Sequence, residues 1–563
     1  MASAASRRGL LLCLLLAAGA VAWMRPLVAR PLLADEIAFA ELTRSFRSGI
    51  PPARFDPPPL YLDVLGVSST LFHWQGESLR WVGVACFCVQ LFLVYHIARS
   101  VHPRAGPLAA VLWATHPLAL QGALILDIDN TVLAVGLSAW WLLLLRLPWP
   151  LRPRDGIALG VLWCLCLWAK GATPVALPLT LIGAGLTHGA WRPTLRATVA
   201  MVLCGLGLLV AGLLLYAWWD STWPGQTILW KNGAQLLRAL QLTCHAPAQA
   251  LLTRLPRLLV WLNPIALLGA AVVWWRWRVD RRSVSARPQL HGVWWYLVLI
   301  GVGYWVVRGT HFGFAKYHYP MLPILLAVCA AGSVAAGFPV TWRQGGALLV
   351  AAAAVAWLWR VIVGDPFLAL AHWRLAAMTA ADRVPSLLRQ TALQLAGGGA
   401  LAIGVWCGVR RGLRSAGVWT RVLAGLLILQ LGSNLATDSV QRTTRYATTY
   451  AYGLDFQTMQ ALIARVRAAA RARPGRLWLG PGDVLYYAGA RAYPPTAGYW
   501  DAVERCQRAL QDPRVAGLIA SPFANTQWTY TRVLRDPAIQ RLLAVGFVRY
   551  GIGDYTLWLR SAP

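Results

Sequence analysis

Apolar runs recur from the N-terminus to about residue 436, separated by short segments rich in Arg, Pro and Gly. A helix needs about 20 apolar residues to span the hydrocarbon of a bilayer. The first run follows Arg7-Arg8 and extends from Gly9 to Met24. It has the charge and apolar stretch of a signal peptide, but no small-residue cleavage site followed by a soluble domain, so it reads as a first spanning helix with a cytoplasmic N-terminus. Further spans are predicted near 79–98, 106–126, 130–147, 156–169, 173–188, 197–217, 257–275, 292–307, 321–338, 346–363, 392–409 and 419–436. The two around Lys170 are short enough to be partly re-entrant. An odd total of about 13 places the C-terminus outside. Beyond residue 437 the period changes: Arg476–Leu479 and Val515–Ala520 read as short strands between helical patterns, and Phe547–Leu559 reads as a closing hairpin. The expected architecture is an all-α polytopic membrane module over 1–436 and a small extracytoplasmic α/β domain over 437–563.

Composition narrows the class. The chain is 58% hydrophobic and 13% charged, against roughly 25% charged in soluble domains. That excludes a disordered chain and argues against an ordinary soluble enzyme. The net charge of +31 would by itself point to nucleic acid. With this hydropathy, the basic excess is better assigned to lipid headgroups and cytoplasmic loops, and no nucleic-acid partner is expected. Loops assigned to the cytoplasm carry many Arg, including Arg99, Arg104, Arg192, Arg196, Arg410 and Arg411, and only Asp155 and Asp280 as acids. Of the ten Cys, only Cys244 and Cys506 fall in polar segments; a disulfide between them is open to an oxidising compartment but is not expected.

Three features carry candidate chemistry. The first external loop opens with Asp35-Glu36 and continues through Arg54-Phe55-Asp56 to Pro57-Pro58-Pro59-Leu60-Tyr61. Adjacent carboxylates at the mouth of a helical bundle suit a general base or a metal site, and equally suit the first turn of a helix. Asp127-Ile128-Asp129-Asn130-Thr131 interrupts an apolar run, and acids there are costly enough to read as functional. This string also resembles the nucleophile motif of haloacid-dehalogenase-type phosphatases, a coincidence because spans rather than a soluble sheet flank it. Finally, only three of the 52 basic residues are Lys, namely Lys170, Lys231 and Lys316, and all fall on the predicted external side. A compact ammonium suits a phosphate. Lys316 lies in Arg308-Gly309-Thr310-His311-Phe312-Gly313-Phe314-Ala315-Lys316-Tyr317-His318-Tyr319-Pro320, a mixture of cations and aromatics suited to an anionic headgroup at an interface.

Taken in order, these segments resemble the GT-C glycosyltransferases that use polyprenyl-phosphate sugars. The similar branch holds the bacterial lipid A aminoarabinose transferases and the protein O-mannosyltransferases. The matching features are Asp35-Glu36, Pro-Pro-Leu-Tyr, the acids after the third span, Lys170-Gly171 and Lys316 followed by Tyr-x-x-Leu-Pro, spread over residues 35 to 323. The resemblance implies that Asp35 is the catalytic base, with Glu36 orienting it or the acceptor. There is one departure: the lipid A branch has a Lys directly before Pro-Pro-Leu, where this chain has Pro57 preceded by Asp56. The donor phosphate then falls to Lys170, Lys316, Arg308 or Arg54, with Tyr319 beside them, and Asp56 and Tyr61 belong to the loop.

The expected activity is inverting transfer of a sugar from a polyprenyl-phosphate donor to a lipid, glycan or protein hydroxyl at the outer face of the bacterial inner membrane. A divalent metal, Mg or Mn, bridging Asp35 with Asp127 or Asp129 stays open. The competing readings are a transporter or flippase of lipid-linked sugars, for which the paired repeats of transporters are missing, and a non-catalytic envelope scaffold.

Overall fold

A computed structural model describes residues 4–32, 35–47, 59–171, 173–219, 289–306, 315–335, 342–362, 384–412, 418–443, 446–447, 454–493, 503–520, 533–534, 536–553 and 555–561. The predicted span at 257–275, together with Lys231 and Cys244, lies outside these residues. The chain divides into two compact units. One comprises Met1–Pro31, Ala38–Val363 and Ala396–Asp438; the other comprises Leu32–Ile37, Gly364–Leu395 and Ser439–Pro563.

The first unit is helical. Its elements are α1 (Ala4–Val28), most of α2 (Asp35–Arg47), α3 (Pro59–Phe72), α4 (Arg80–Val101), α5 (Gly106–Ala114), α6 (Pro117–Ala123), α7 (Val132–Arg146), α8 (Pro153–Ala169), α9 (Ala176–Thr187), α10 (Trp191–Trp219), α11 (Gln289–Val306), α12 (Leu322–Ala335), α13 (Trp342–Ile362) and parts of α14 (Val384–Gly412) and α15 (Val418–Thr443). Among the described residues, five helical stretches are long and apolar enough to cross a membrane: Arg8–Val28, Gly76–Val101, Trp191–Leu215, His318–Ala335 and Leu388–Arg411. Shorter apolar helices accompany them, and the chain is a multi-pass membrane protein.

The run 106–126, expected as one span, is two helices. Pro117 lacks an amide hydrogen and drives the preceding residue out of the helical region. His116 accordingly adopts an extended conformation, and its Nδ1 accepts a hydrogen bond from the Leu118 amide at 3.2 Å, capping α6.

Elsewhere the helices close on small residues. In α8 a Cβ at Gly156 would overlap the Ala197 carbonyl of α10. Without a solvent-driven hydrophobic force between spans, such close approach supplies the van der Waals contact that holds them together.

The second unit carries a five-stranded mixed sheet. Its strands are β3 (Leu477–Leu479), β4 (Arg491–Ala492), β5 (Val515–Ala520), β6 (Phe547–Ile552) and β7 (Tyr555–Arg560), ordered β4-β3-β5-β7-β6. A separate two-stranded ladder pairs β1 (Tyr446–Ala447) with β2 (Leu454–Asp455). In the larger sheet β3 runs parallel to β4 and β5, and β7 runs antiparallel to β5 and β6.

Both faces of the central strands are covered. Trp478, Ile519 and Leu557 pack with Met459, Leu462 and Val466 of α16 (Phe456–Ala472). Leu477, Leu479 and Leu518 pack with residues of α18 (Val503–Gln511) and α19 (Pro537–Gly546) on the opposite face. Between β3 and β4 lies α17 (Gly482–Ala488). Double coverage explains why 515–519 is a continuous apolar run rather than an alternating one. Cys506 is a free thiol in this core, and burial pushes its pKa up to about 12.

The helix contact gives a stability test. Gly156→Ala should destabilise the protein by about 1–3 kcal/mol, since a carbonyl cannot rotate away as a side-chain tip can. Gly207→Ala, with nothing within 4 Å of the added carbon, should change stability by less than about 1 kcal/mol. Thermal unfolding of both variants in one detergent measures the difference.

Candidate functional site

The loop between α6 and α7 leaves the helix within an apolar bundle, so its carbonyls need donors. Gln90, inside α4, donates from Nε2 to the carbonyls of Asn130 at 3.3 Å and Thr131 at 3.5 Å. Asn130 donates from Nδ2 to the Gly122 and Ile125 carbonyls. Thr131 Oγ1 donates to the Asp127 carbonyl at 2.6 Å, and Asp127 Oδ1 accepts from the Asp129 amide at 3.1 Å. The loop is thereby fixed by its own side chains together with Gln90 of α4. Asp127, Asp129, Asn130 and Thr131 are all buried.

Asp129 is 1% exposed. Lys170 caps the C-terminal end of α8 in an extended conformation, and its Nζ reaches both carboxylate oxygens of Asp129, at 2.7 and 2.6 Å. The ammonium supplies the opposite charge that offsets the burial of this carboxylate.

The side of the loop formed by α6 is closed by Tyr319. Its ring lies edge-on to Trp113 at 5.8 Å and against Gly122, where a Cβ would overlap it, and its hydroxyl donates to the Ala119 carbonyl at 3.4 Å. Asp127 and Asp129 thus share one loop that Lys170 reaches from the end of α8, while Tyr319 packs on α6, the helix that leads into it.

The other predicted site residues are placed as follows. Asp35 is the first residue of α2, where the helix dipole favours an acid, and its side chain lies outside the description. Glu36 follows it and is buried. Both belong to the second unit. Tyr61, in α3, is fully buried, with its ring T-shaped against Phe39 at 5.0 Å. Lys316 lies in the 3₁₀ turn Ala315–Met321 with its side chain outside the description, and Arg54, Asp56 and Arg308 lie wholly outside it.

A divalent cation suits carboxylates with free oxygens. Here Lys170 engages both oxygens of Asp129, so Asp127 and Asp129 do not form a ready cage. Among the described residues no three His, Cys, Asp or Glu side chains converge as a metal site.

Sequence reasoning missed Arg80. Buried at the head of α4, its guanidinium donates to the carbonyls of Val28 at 3.0 Å, Arg30, and Pro31 at 2.9 Å. It gathers the end of α1 and the chain that leads toward Asp35. The available signal was a lone cation opening an otherwise apolar span, which nothing in the sequence separates from the other flanking arginines.

Residues 56–219 match the family described as Dolichyl-phosphate-mannose-protein mannosyltransferase. The fold is similar to that of ArnT from Cupriavidus metallidurans bound to undecaprenyl phosphate, over 98% of both chains, with TM-score 0.56 and 17% identity. It is similar to the apo state of that protein over 99% of this chain and 98% of the other, with TM-score 0.54 and 18% identity. The oligosaccharyltransferase of Archaeoglobus fulgidus in its apo form aligns over 98% of this chain and 74% of its own, with TM-score 0.45 and 13% identity. No curated protein matches the chain by sequence. The GT-C resemblance read from the motifs is thus borne out, as a fold over nearly the whole chain and by the family match over the stretch that holds Tyr61, Asp127, Asp129 and Lys170.

The ion pair predicts a characteristic double-mutant cycle. Lys170→Met should destabilise the folded protein by about 3–5 kcal/mol, because it takes the ammonium away from a buried carboxylate, and Asp129→Leu should cost less, because Lys170 is only part-buried. The double variant should lose less than the sum. Unfolding midpoints of the four proteins in the same detergent report the coupling.

Proposed function

We propose that this multi-pass protein of GT-C fold is a glycosyltransferase. It takes a sugar from a polyprenyl-phosphate donor and transfers it to a hydroxyl of a lipid, glycan or protein at the outer face of the bacterial inner membrane. The N-terminus is then cytoplasmic and the 437–563 domain periplasmic. The observation that carries this reading is a lysine held on a buried carboxylate, inside the stretch that matches the family. The undecaprenyl phosphate bound to ArnT, a protein of similar fold, supports a donor of that class.

The chemistry follows from where charge develops. As the anomeric carbon parts from the phosphate oxygen, the bonding pair stays on the phosphate, and a cation placed there lowers the barrier. Lys170 supplies that cation while held on Asp129, Lys316, Arg308 and Arg54 add to it, and Tyr319 is a further donor contact. On the opposite side of the sugar carbon the acceptor oxygen forms the new bond and its proton passes to Asp35. Glu36 orients Asp35 or the acceptor, and direct displacement inverts the anomeric centre. Asp56 is assigned to the first external loop; Tyr61, expected there too, instead lies buried in α3 against Phe39. In this scheme side-chain cations meet the charge of the leaving phosphate; a divalent ion, Mg or Mn, would supply the same neutralisation if Asp35 and Asp127 held it.

Asp35→Asn should lower transfer from a polyprenyl-phosphate sugar roughly 10²–10⁴-fold with the unfolding midpoint unchanged. The measurement is product formation in proteoliposomes. Full activity of the variant, or net movement of the lipid-linked sugar without bond cleavage, would overturn the assignment.

A further inference from the structure

In the second unit, the C-terminal end of α16, the turn that follows it, the end of α17 and β4 line an open cavity of about 530 Å³. That lies within the size range of small-molecule sites. Five arginines line it, Arg467, Arg471, Arg473, Arg476 and Arg491, and no Asp or Glu among the described residues does.

Three of these guanidiniums are tied by one nitrogen each. Arg467 donates to the Tyr487 carbonyl at 2.6 Å, Arg473 to the Arg560 carbonyl at 2.7 Å, and Arg476 to the Pro513 carbonyl at 2.6 Å. Those bonds orient the forks without consuming them, since a guanidinium carries five donors. Arg471 and Arg491 are exposed and have no protein partner among the described residues.

Helix polarity does not account for this concentration. The C-terminus of a helix offers about half a negative charge, against five positive ones. The crowding reaches the neighbouring Arg560, whose pKa is lowered first by burial and also by Arg476 and Arg473, with Asp512 opposing.

We propose that this cavity is a binding site for a phosphate-class oxyanion carried on a small polar body, either a lipid headgroup or a sugar phosphate. A phosphate ester bears about −1.5 to −2 charge and three acceptor oxygens, a better match to several arginine forks than a single carboxylate. Tyr487, which lines the cavity, also accepts a 2.6 Å hydrogen bond at its hydroxyl from the Leu32 amide, three residues before Asp35. A ligand in the cavity thus sits against the tyrosine that anchors the approach to the first-loop acids.

The test uses the full chain in phosphatidylcholine nanodiscs, titrated calorimetrically with inorganic phosphate and with glucose 1-phosphate. A parallel arm measures binding of the detergent-solubilised chain to phosphatidylcholine vesicles with and without phosphatidic acid. The double variant Arg471→Gln/Arg491→Gln should weaken binding about tenfold or more, and added salt should weaken binding of the parent. Binding of glucose 1-phosphate identifies a sugar-phosphate site, and binding only to vesicles with phosphatidic acid identifies a headgroup site. Asp35→Asn should bind as the parent does, which separates this site from the transfer reaction. Equal binding by the double variant and the parent, or no binding of any probe, would overturn the proposal.

Discussion

A backbone polar group inside an apolar bundle must be hydrogen-bonded within the protein, because no water is there to take its place. At three places where the described residues leave the helix among the spans, that demand is met by particular side chains. The break at Thr115–Pro117 is capped by His116. The α6–α7 loop is held by Gln90, Asn130 and Thr131, and the exit from α1 is held by Arg80. Breaking the helices opens positions where functional groups can be displayed, and the polar residues that make the breaks tolerable also rigidify them. The candidate site is thus a by-product of how the bundle satisfies its own backbone.

The same constraint operates on charge. Asp129 is positioned by a loop with little freedom, so its partner must come to it, and Lys170 does so from the end of α8. Lysine suits that role: its ammonium is compact, and its flexible stem bridges the remaining gap. The preference for arginine elsewhere in the chain is relaxed at this position.

Hydropathy made most of the helices legible, because a span must be apolar over its whole length. It hid the division of 106–126, where Pro117 alone marks the break and the flanking residues remain apolar. Arg476–Leu479, observed as Leu477–Leu479, and Val515–Ala520 were legible as strands because both hold short apolar runs bounded by turn residues. Asp127, Asp129 and Lys170 each stood out as costly residues in an apolar context. Their pairing did not, since the two partners are 41 residues apart and only the packing of the intervening helices brings them together. Arg80 was passed over for a different reason. It looked like one more flanking arginine, and only its three carbonyl partners separate it from the rest. The arginine cavity was also invisible along the sequence, because the fold gathers its members from a helix end, a turn and a short strand.

The pairing of Asp129 and Lys170 has a consequence for how the helices can shift. The carboxylate is held by its own loop and the ammonium by the end of α8, so any sliding of α8 past that loop would pull the two charges apart in an apolar surrounding. The pair therefore works as a pin that fixes the end of α8 to the α6–α7 loop.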